Sequence, residues 1–280
     1  MYDLRGNWEL SIIIRKETQA DYKQTEHMTM RAFWNIHGPG CYEHLLVRKI
    51  RASEDYLPEL SRVAEADGKI VGAIYYTKAK VVDGDKVHDI ITFGPLAVEP
   101  TFQNAGIGRM LLEETIQLVK EAGYIGICIT GEPNYYPKRG FVTCDKFGIT
   151  DEAGENYDAL MALPINERAF QSVHGKLIES NVFKDCENET ELNAINAEFP
   201  AYRKIKIKEG FLMILDNYFG VVEEINGENY MVRFWELLIP AKRSNEMIKN
   251  GNEPKVGDDV LFRWKTKEEA EITQICKTLL

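Results

Sequence analysis

The chain has 280 residues, 44% hydrophobic and 28% charged, which fits an ordinary globular protein of one large or two smaller domains. Its net charge of −10 argues against broad nucleic-acid binding, and no apolar run reaches the length of a membrane span. The five cysteines (Cys41, Cys128, Cys144, Cys186, Cys276) form no C-x-x-C pair, and Met1 to Leu10 lack the apolar core of a signal peptide, so a reducing cytoplasm is expected.

In chain order, Leu10 to Arg15 (L-S-I-I-I-R) is a β-branched run that predicts a first strand. Asp21 to Ile36 puts Tyr22, Met28, Met30, Phe33 and Trp34 at roughly helical spacing before His37-Gly38-Pro39-Gly40 breaks the chain, and Tyr42 to Ile50 resumes as a helix. Leu60 to Ala66 and Ile70 to Val82 read as strands joined by Asp67-Gly68-Lys69, and Asp83-Gly84-Asp85 turns the chain into His88 to Val98. The clearest helix is Ile107 to Ala122, with Ile107, Leu111, Leu112, Ile116 and Val119 on one stripe and Gly123 as its C-terminal cap. Tyr124 to Thr130 suits a central strand, and Phe141 to Phe147 and Ala159 to Leu163 supply the last strands. Hairpins followed by a strand–helix–strand unit predict an α/β (α+β) domain over residues 1–165, a mixed central sheet flanked by helices.

Residues 166–205 read as a connector with helical stretches, in which Asp185 to Glu198 is either helical or a flexible linker. Residues 206–280 change texture: Phe211 to Leu215, Tyr218 to Ile225, Tyr230 to Leu238, Asp259 to Trp264 and Ala270 to Cys276 are short strands, with Asn226-Gly227 as a hairpin turn. This predicts a small all-β, SH3-like barrel module. Residues 201–280 carry 13 basic and 13 acidic residues, so the whole excess of negative charge lies in residues 1–200. A negative surface favours a cationic acceptor such as an amine, and equally serves plain solubility.

The stretch G-P-L-A-V-E-P-T-F-Q-N-A-G-I-G-R (94–109) carries the chemistry. A strand runs through a short turn into a helix whose start holds Gly106, Gly108 and Arg109. Glycines there let a phosphate approach the free backbone N–H groups, while the helix dipole and Arg109 add positive potential. The Gln103, Gly106, Ile107, Gly108, Arg109 spacing is neither the dinucleotide G-x-G-x-x-G pattern nor a P-loop. It resembles the Q/R-x-x-G-x-G/A signature of the GNAT superfamily of N-acetyltransferases. The preceding L-A-V-x-P, the following strand from Ile125 to Thr130, and Y-Y-P-K-R-G-F (135–141) resemble the same superfamily in order. The resemblance covers roughly residues 10–165. Ala32-Phe33-Trp34, Gly40-Cys41, Glu43-His44-Leu45-Leu46 and Val63-Ala64-Glu65 are similar to a bacterial branch of predicted acetyltransferases.

The resemblance implies the GNAT acyl-CoA N-acyltransferase fold, with acetyl-CoA as co-substrate and direct attack by an amine within a ternary complex. It places the pantetheine and thioester against Leu96, Ala97 and Val98, where Gly94-Pro95 distorts the strand because proline cannot donate to a ladder. The amides of Gln103, Asn104, Ala105, Gly106, Ile107, Gly108 and Arg109 would hold the pyrophosphate. Asn134 has a counterpart in the family that contacts the cofactor; a helix N-cap is its other reading. Tyr136 stands where the family's general-acid tyrosine sits, and a phenol with a pKa of about 10 can donate to a leaving thiolate; the competing reading is a packing aromatic.

The general base stays open. Glu99 is either that base or a solvated turn carboxylate. Asp89 and His88 lie at the start of its strand, and Glu43 beside His44 could relay a proton through water. Neither cysteine chemistry nor metal-ligand spacing is present, so covalent and metal catalysis are not expected. The expected partners are a small-molecule or protein amine acceptor, with a homodimer left open and no membrane. The competing function is a catalytically inactive acyl-CoA-binding regulator with a C-terminal interaction module. Tyr230, Arg233, Phe234, Trp235, Arg263, Trp264 and Lys265 would then bind an RNA or a peptide, or else simply alternate along half-buried strands.

Overall fold

A computed structural model describes residues 11–202, 204, 218–234, 237–266 and 269–276. The chain divides into two compact units, one of residues 1–33 and 42–201, the other of 34–41 and 202–280.

The first unit is built on a nine-stranded mixed sheet in the order β1-β2-β3-β4-β5-β8-β6. Its elements are β1 (Ile12–Arg15), α1 (Tyr22–Phe33), α2 (Glu43–Ala52), β2 (Arg62–Ala66), β3 (Lys69–Asp83), β4 (Lys86–Val98), α3 (Ile107–Glu121), β5 (Gly126–Thr130), β6 (Val142–Thr143), β7 (Ile149–Thr150), β8 (Leu160–Pro164), α4 (Glu167–Phe170), β9 (Gly175–Glu179) and α5 (Glu189–Asn196). Phe141 to Phe147 was expected as a strand. Only Val142–Thr143 pairs, and Cys144–Phe147 closes into a 3-10 turn ended by Gly148 at φ +65°.

The expected connector is for most of its length part of this unit. β9 pairs antiparallel with the second half of β3, Ala79 opposite Glu179, on the edge that β2 leaves free, and parallel with β7. The acidic stretch 185–198 forms α5, with Asn188 capping it by accepting from the N–H groups of Thr190 and Glu191.

The two faces of the sheet bury separate cores. On one, α3 lays Ile107, Leu111, Leu112 and Val119 against Ile74, Tyr76, Ile91 and Ile127. Gly72 allows that approach: a Cβ there would stand 2.9 Å from Ile107 Cγ2 and from Leu111 Cδ1. The helix ends where the sequence predicts, with Gly123 at φ +81° and the Tyr124 N–H reaching back to the Val119 carbonyl at 3.3 Å. On the other face, α1 and α2 cover Ala73, Tyr75 and Ala97, while Phe170, Leu160 and Leu177 cover Ala79 and Ile90. Arg51 locks the helix pair: its buried guanidinium binds Glu17 and Glu26 and donates to the Tyr75 hydroxyl at 3.0 Å.

The second unit contains a closed barrel in the order β10-β11-β12-β14-β13, from β10 (Tyr218–Asn226), β11 (Asn229–Phe234), β12 (Leu237–Arg243), β13 (Asp259–Trp264) and β14 (Ala270–Cys276), with the short helix α6 (Asn245–Lys249). The hairpin turn at Asn226-Gly227 forms as expected, with Gly227 at φ +63°. The run Tyr230 to Leu238 is two strands rather than one, and Ile239 and Ala241 of β12 join a core of Val222, Val232, Phe234 and Phe262. Among the candidate RNA- or peptide-binding residues, Tyr230 and Phe234 are buried in this core, Arg233 pairs with Glu223, and Arg263 and Lys265 pair with Glu271. These are ordinary half-buried strands. Trp235 and Phe211 to Leu215 lie outside the described residues.

Candidate active site

The site begins at an irregularity in β4. Ile74 pairs with Leu96 and Tyr76 with Phe93, so Gly94 and Pro95, joined by a cis peptide, stand together opposite Tyr75. The extra residue inverts the alternation. Ile91 and Phe93 face α3 before the bulge, and Leu96 and Val98 face it afterwards. Beyond the bulge the Glu99 N–H donates to the Val71 carbonyl of β3 at 3.0 Å, so by alternation the N–H groups of Leu96 and Val98 point the other way, toward β5. Among the described residues the ladder between β4 and β5 has a single position, Ile91 opposite Ile127. The two parallel strands then diverge, leaving an open edge. Ala97 does not belong to that edge: it pairs with Ala73, and its side chain is buried on the α1–α2 face.

The open edge leads to the first turn of α3. The Gln103 side chain closes the intervening loop, its amide Nε2 donating to the Val98 carbonyl at 3.2 Å. Asn104 at φ +61° and Gly106 at φ +86° turn the chain twice through left-handed conformations. The first intrahelical bond is Met110 N–H to the Gly106 carbonyl at 3.0 Å, so the amides ahead of Met110 at this helix start have no partner further back in the helix. Nothing lies within 4 Å of where a Cβ would stand on Gly106. Open space in front of unpaired amides at a helix N-terminus suits a diphosphate. At Gly108 the packing is close: a Cβ would sit 3.0 Å from the Tyr135 hydroxyl and 3.5 Å from Val98 Cγ2. Arg109 is exposed and pairs with Glu113 at 3.8 Å. Asn134 caps no helix; its N–H and its Nδ2 both donate to Glu132 Oε1, at 3.1 and 2.9 Å.

Tyr136 packs on the α3 face of the opening, with ring centroids 5.8 Å from Phe93 and 5.4 Å from Phe141. Gly131 makes room for it, since a Cβ there would meet Tyr136 Cε2 at 2.4 Å. Burial, and then Tyr135, push the Tyr136 phenol well above its ordinary range, and among the described residues no hydrogen bond holds its hydroxyl. Sequence reasoning missed Arg139, whose guanidinium carbon lies 3.4 Å from the centroid of the Tyr135 ring and whose Nε is buried with no partner among the described residues.

The candidates for a general base are placed elsewhere. Glu99 is neither solvated nor free: it takes two hydrogen bonds from Arg31 of α1, at 2.5 and 3.2 Å, and both side chains are largely buried. His44 is fully buried, its Nε2 2.9 Å from Asn196 Oδ1 and its ring edge-on to Phe199; burial drives its pKa down to about 4. Glu43 folds back on its helix start, accepting from the Tyr42 N–H at 3.1 Å, and burial lifts its pKa to about 7. Adjacent residues on a helix point about 100° apart, and no Glu43–His44 relay forms. His88 and Asp89 stand five and more residues before the bulge, at the far end of β4, roughly 17 Å along the strand.

A carboxylate that sequence reasoning missed stands much nearer. Glu179, the last residue of β9, accepts from Thr92 Oγ1 at 3.3 Å, two residues before Gly94. It lines a cavity of about 390 Å³ with Thr130, Leu160, Leu177, Phe183 and Lys184. The Phe183 ring also lies over the bulge, 3.3 Å from where a Cβ on Gly94 would be. The signal was hidden because β9 follows the last motif by some thirty-five residues, in a stretch whose composition reads as a connector.

A sheet whose fourth and fifth strands part beside a glycine-bearing helix start is the architecture of the GNAT fold. Residues 58–143 match the family model described as the acetyltransferase (GNAT) domain. The chain is 33% identical over 102 residues to the uncharacterized N-acetyltransferase YjhQ of Escherichia coli strain K12, a match taking in 35% of this chain and 55% of that protein. It thus spans about half the length of that relative. It is 27% identical over 161 residues to the uncharacterized N-acetyltransferase YhbS of the same strain, covering 57% of this chain and 85% of YhbS. The crystal structure of Escherichia coli YhbS, in complex with CoA, has the same fold, with a TM-score of 0.57 and 22% identity over 64% of this chain and 94% of that one. Residues 58–143 thus carry a GNAT acetyltransferase domain.

Proposed function

We propose that the protein is an acetyl-CoA-dependent N-acetyltransferase that moves an acetyl group directly from the thioester to a primary amine, in a ternary complex in the cytoplasm. The observation that carries this reading is the continuity between the unpaired β4 edge at Leu96 and Val98 and the unpaired amides at the start of α3. The CoA bound to the related YhbS supports it. In this reading the Leu96 and Val98 N–H groups hold the pantetheine and the thioester oxygen, and the amides from Gly106 to Arg109 hold the diphosphate. Tyr136 donates a proton to the departing sulfur. Its burial suits that task, because a phenol with a raised pKa stays protonated until a stronger base, the thiolate, forms beside it.

Isothermal titration with acetyl-CoA and with CoA tests the reading, beside a Gly108→Glu variant. Binding that disappears in the variant is the expected result. A folded wild type that binds neither ligand overturns it. Binding without thiol release on any amine would leave an acyl-CoA-binding regulator instead.

A further inference from the structure

The cavity beside Glu179 has no part in the roles assigned above, yet it adjoins the β4–β5 opening from the face opposite Tyr136. Along β4, Ile90 and Thr92 face the cavity side while Ile91 and Phe93 face α3; along β5, Cys128 faces it while Ile127 and Ile129 face α3. Thr130 continues that alternation into the cavity wall. We propose that this cavity is the acceptor subsite, that it takes a small aliphatic primary ammonium group, and that Glu179 is the base that receives its proton. The proposal rests on the acetyltransferase reading for the reaction, but not for the binding.

Three features of the cavity carry the choice of ligand. Part of its wall is apolar, from Leu160, Leu177 and the Phe183 ring, and suits an alkyl chain. Its charged groups are the carboxylates of Asp151, Glu152 and Glu179 against the single ammonium of Lys184, so it attracts a cation. Lys184 is already paired with Glu152, and Asp151 accepts from the Glu155 N–H at 2.8 Å. Glu179 has only the Thr92 hydroxyl among the described residues, which leaves most of its acceptor capacity for a ligand. Polar capacity continues beside it, since Thr77, directly opposite Thr92 in the ladder, is buried with its Oγ1 unpartnered among the described residues.

The proton balance follows. An alkylammonium with a pKa of about 10 cannot attack a carbonyl, and Glu179 removes one proton to free the nitrogen lone pair. Burial raises the basicity of this carboxylate, and its placement within reach of the β4 edge makes the transfer local. The nitrogen then forms a bond to the thioester carbon, the carbon–sulfur bond breaks with its electron pair on sulfur, and Tyr136 supplies the sulfur's proton. The amide nitrogen then gives up its second proton, Tyr136 is reprotonated and Glu179 releases the proton it took, so one proton is released to solvent per turnover. The titratable groups facing Glu179 are Asp151, Glu152 and Tyr157 ahead of β8, Lys184 beyond β9, and Cys128 on β5.

The test titrates wild type, Glu179→Gln and Glu179→Asp with n-butylamine and 1,4-diaminobutane by calorimetry, without any acyl-CoA. Matched n-butanol and n-butyrate serve as neutral and anionic probes. Acetylation of the two amines is then followed by thiol release across pH, and acetyl-CoA affinity is measured separately. The expected result is that wild type binds the amines in preference to the alcohol and acid. Glu179→Gln should lose amine binding by about tenfold or more, keep its acetyl-CoA affinity, and lose about a hundredfold in kcat/KM together with the acid limb of the pH profile. Glu179→Asp keeps the charge and should retain part of both. Unchanged amine binding in folded Glu179→Gln overturns the proposal, as does an unchanged pH profile with full turnover. If wild type fails to bind acetyl-CoA, the acetyltransferase reading falls while the amine titration still decides the cavity.

Discussion

The two ends of the β4–β5 opening are built from different materials. At the α3 end the groups proposed to bind are backbone amides, held in place by Asn104 and Gly106 in left-handed conformations and by close packing at Gly72 and Gly108. At the cavity end they are side chains, Glu179, Thr92 and Thr130, brought in by β9, β4 and β5. A backbone site needs small residues at fixed local spacing and tolerates change around it. A side-chain site can be rebuilt by changing one or two residues on strands far apart in sequence. The first suits a ligand part shared by every member of a family, and the second a ligand that differs between members.

That contrast can be broken or sharpened by substitution. The largest effect is expected for Gly108→Glu, which puts a negative charge among the amides; losing two charge-assisted hydrogen bonds of about 2 kcal/mol each weakens acetyl-CoA binding about a thousandfold by calorimetry. Tyr136→Phe should lower kcat about a hundredfold while acetyl-CoA affinity stays within about threefold, because the ring packing on Phe93 and Gly131 is kept and only the proton donor is lost. Gly72→Val acts on the backbone end through packing alone. It should cost about 2–3 kcal/mol in denaturant unfolding and displace α3 enough to weaken acetyl-CoA as well.

Smaller effects are expected at the candidate bases that the fold ties to other groups. Glu99→Gln breaks the ion pair with Arg31 and should cost about 1–2 kcal/mol of stability while leaving the pH profile of kcat unchanged. A collapse of the acid limb in that variant would restore Glu99 as the base. The smallest is Glu43→Gln. The Glu43 carboxyl is raised from 4.5 to about 7, so the folded state holds its proton where the unfolded chain has lost it. Its contribution to stability is present below about pH 4.5 and lost as pH rises through about 7, and the variant should lack that part of the slope between pH 5 and 8, with no effect on acetyl-CoA affinity.

Much of the backbone end was legible in the residues. Gly106 and Gly108 after L-A-V-x-P point to a strand, a turn and a helix start, and both Gly94-Pro95 as a distortion and Gly123 as a cap stand where expected. Each is a local constraint: a positive φ, a missing N–H or a helix end is decided within a few residues and leaves its mark in their identities. Glu99, Glu43 and His44 looked eligible because the same local view shows a titratable group near the right element without what stands across from it. Arg31 arrives from 68 positions away and Asn196 from 152, and those partners tie the Glu99 and His44 side chains into the fold.

By itself, then, the sequence determined the fold class, the course of β4 into α3, and the glycine-bearing start of that helix, since all follow from short-range backbone requirements. Only the tertiary structure decided that the apparent connector returns as β9 along β3, which sets Glu179 beside Thr92 and closes the cavity. The physical reason is that strand pairing and burial are contacts between distant segments, governed by which sheet edge is left open. That edge is a property of the folded sheet, and no local run of residues encodes it.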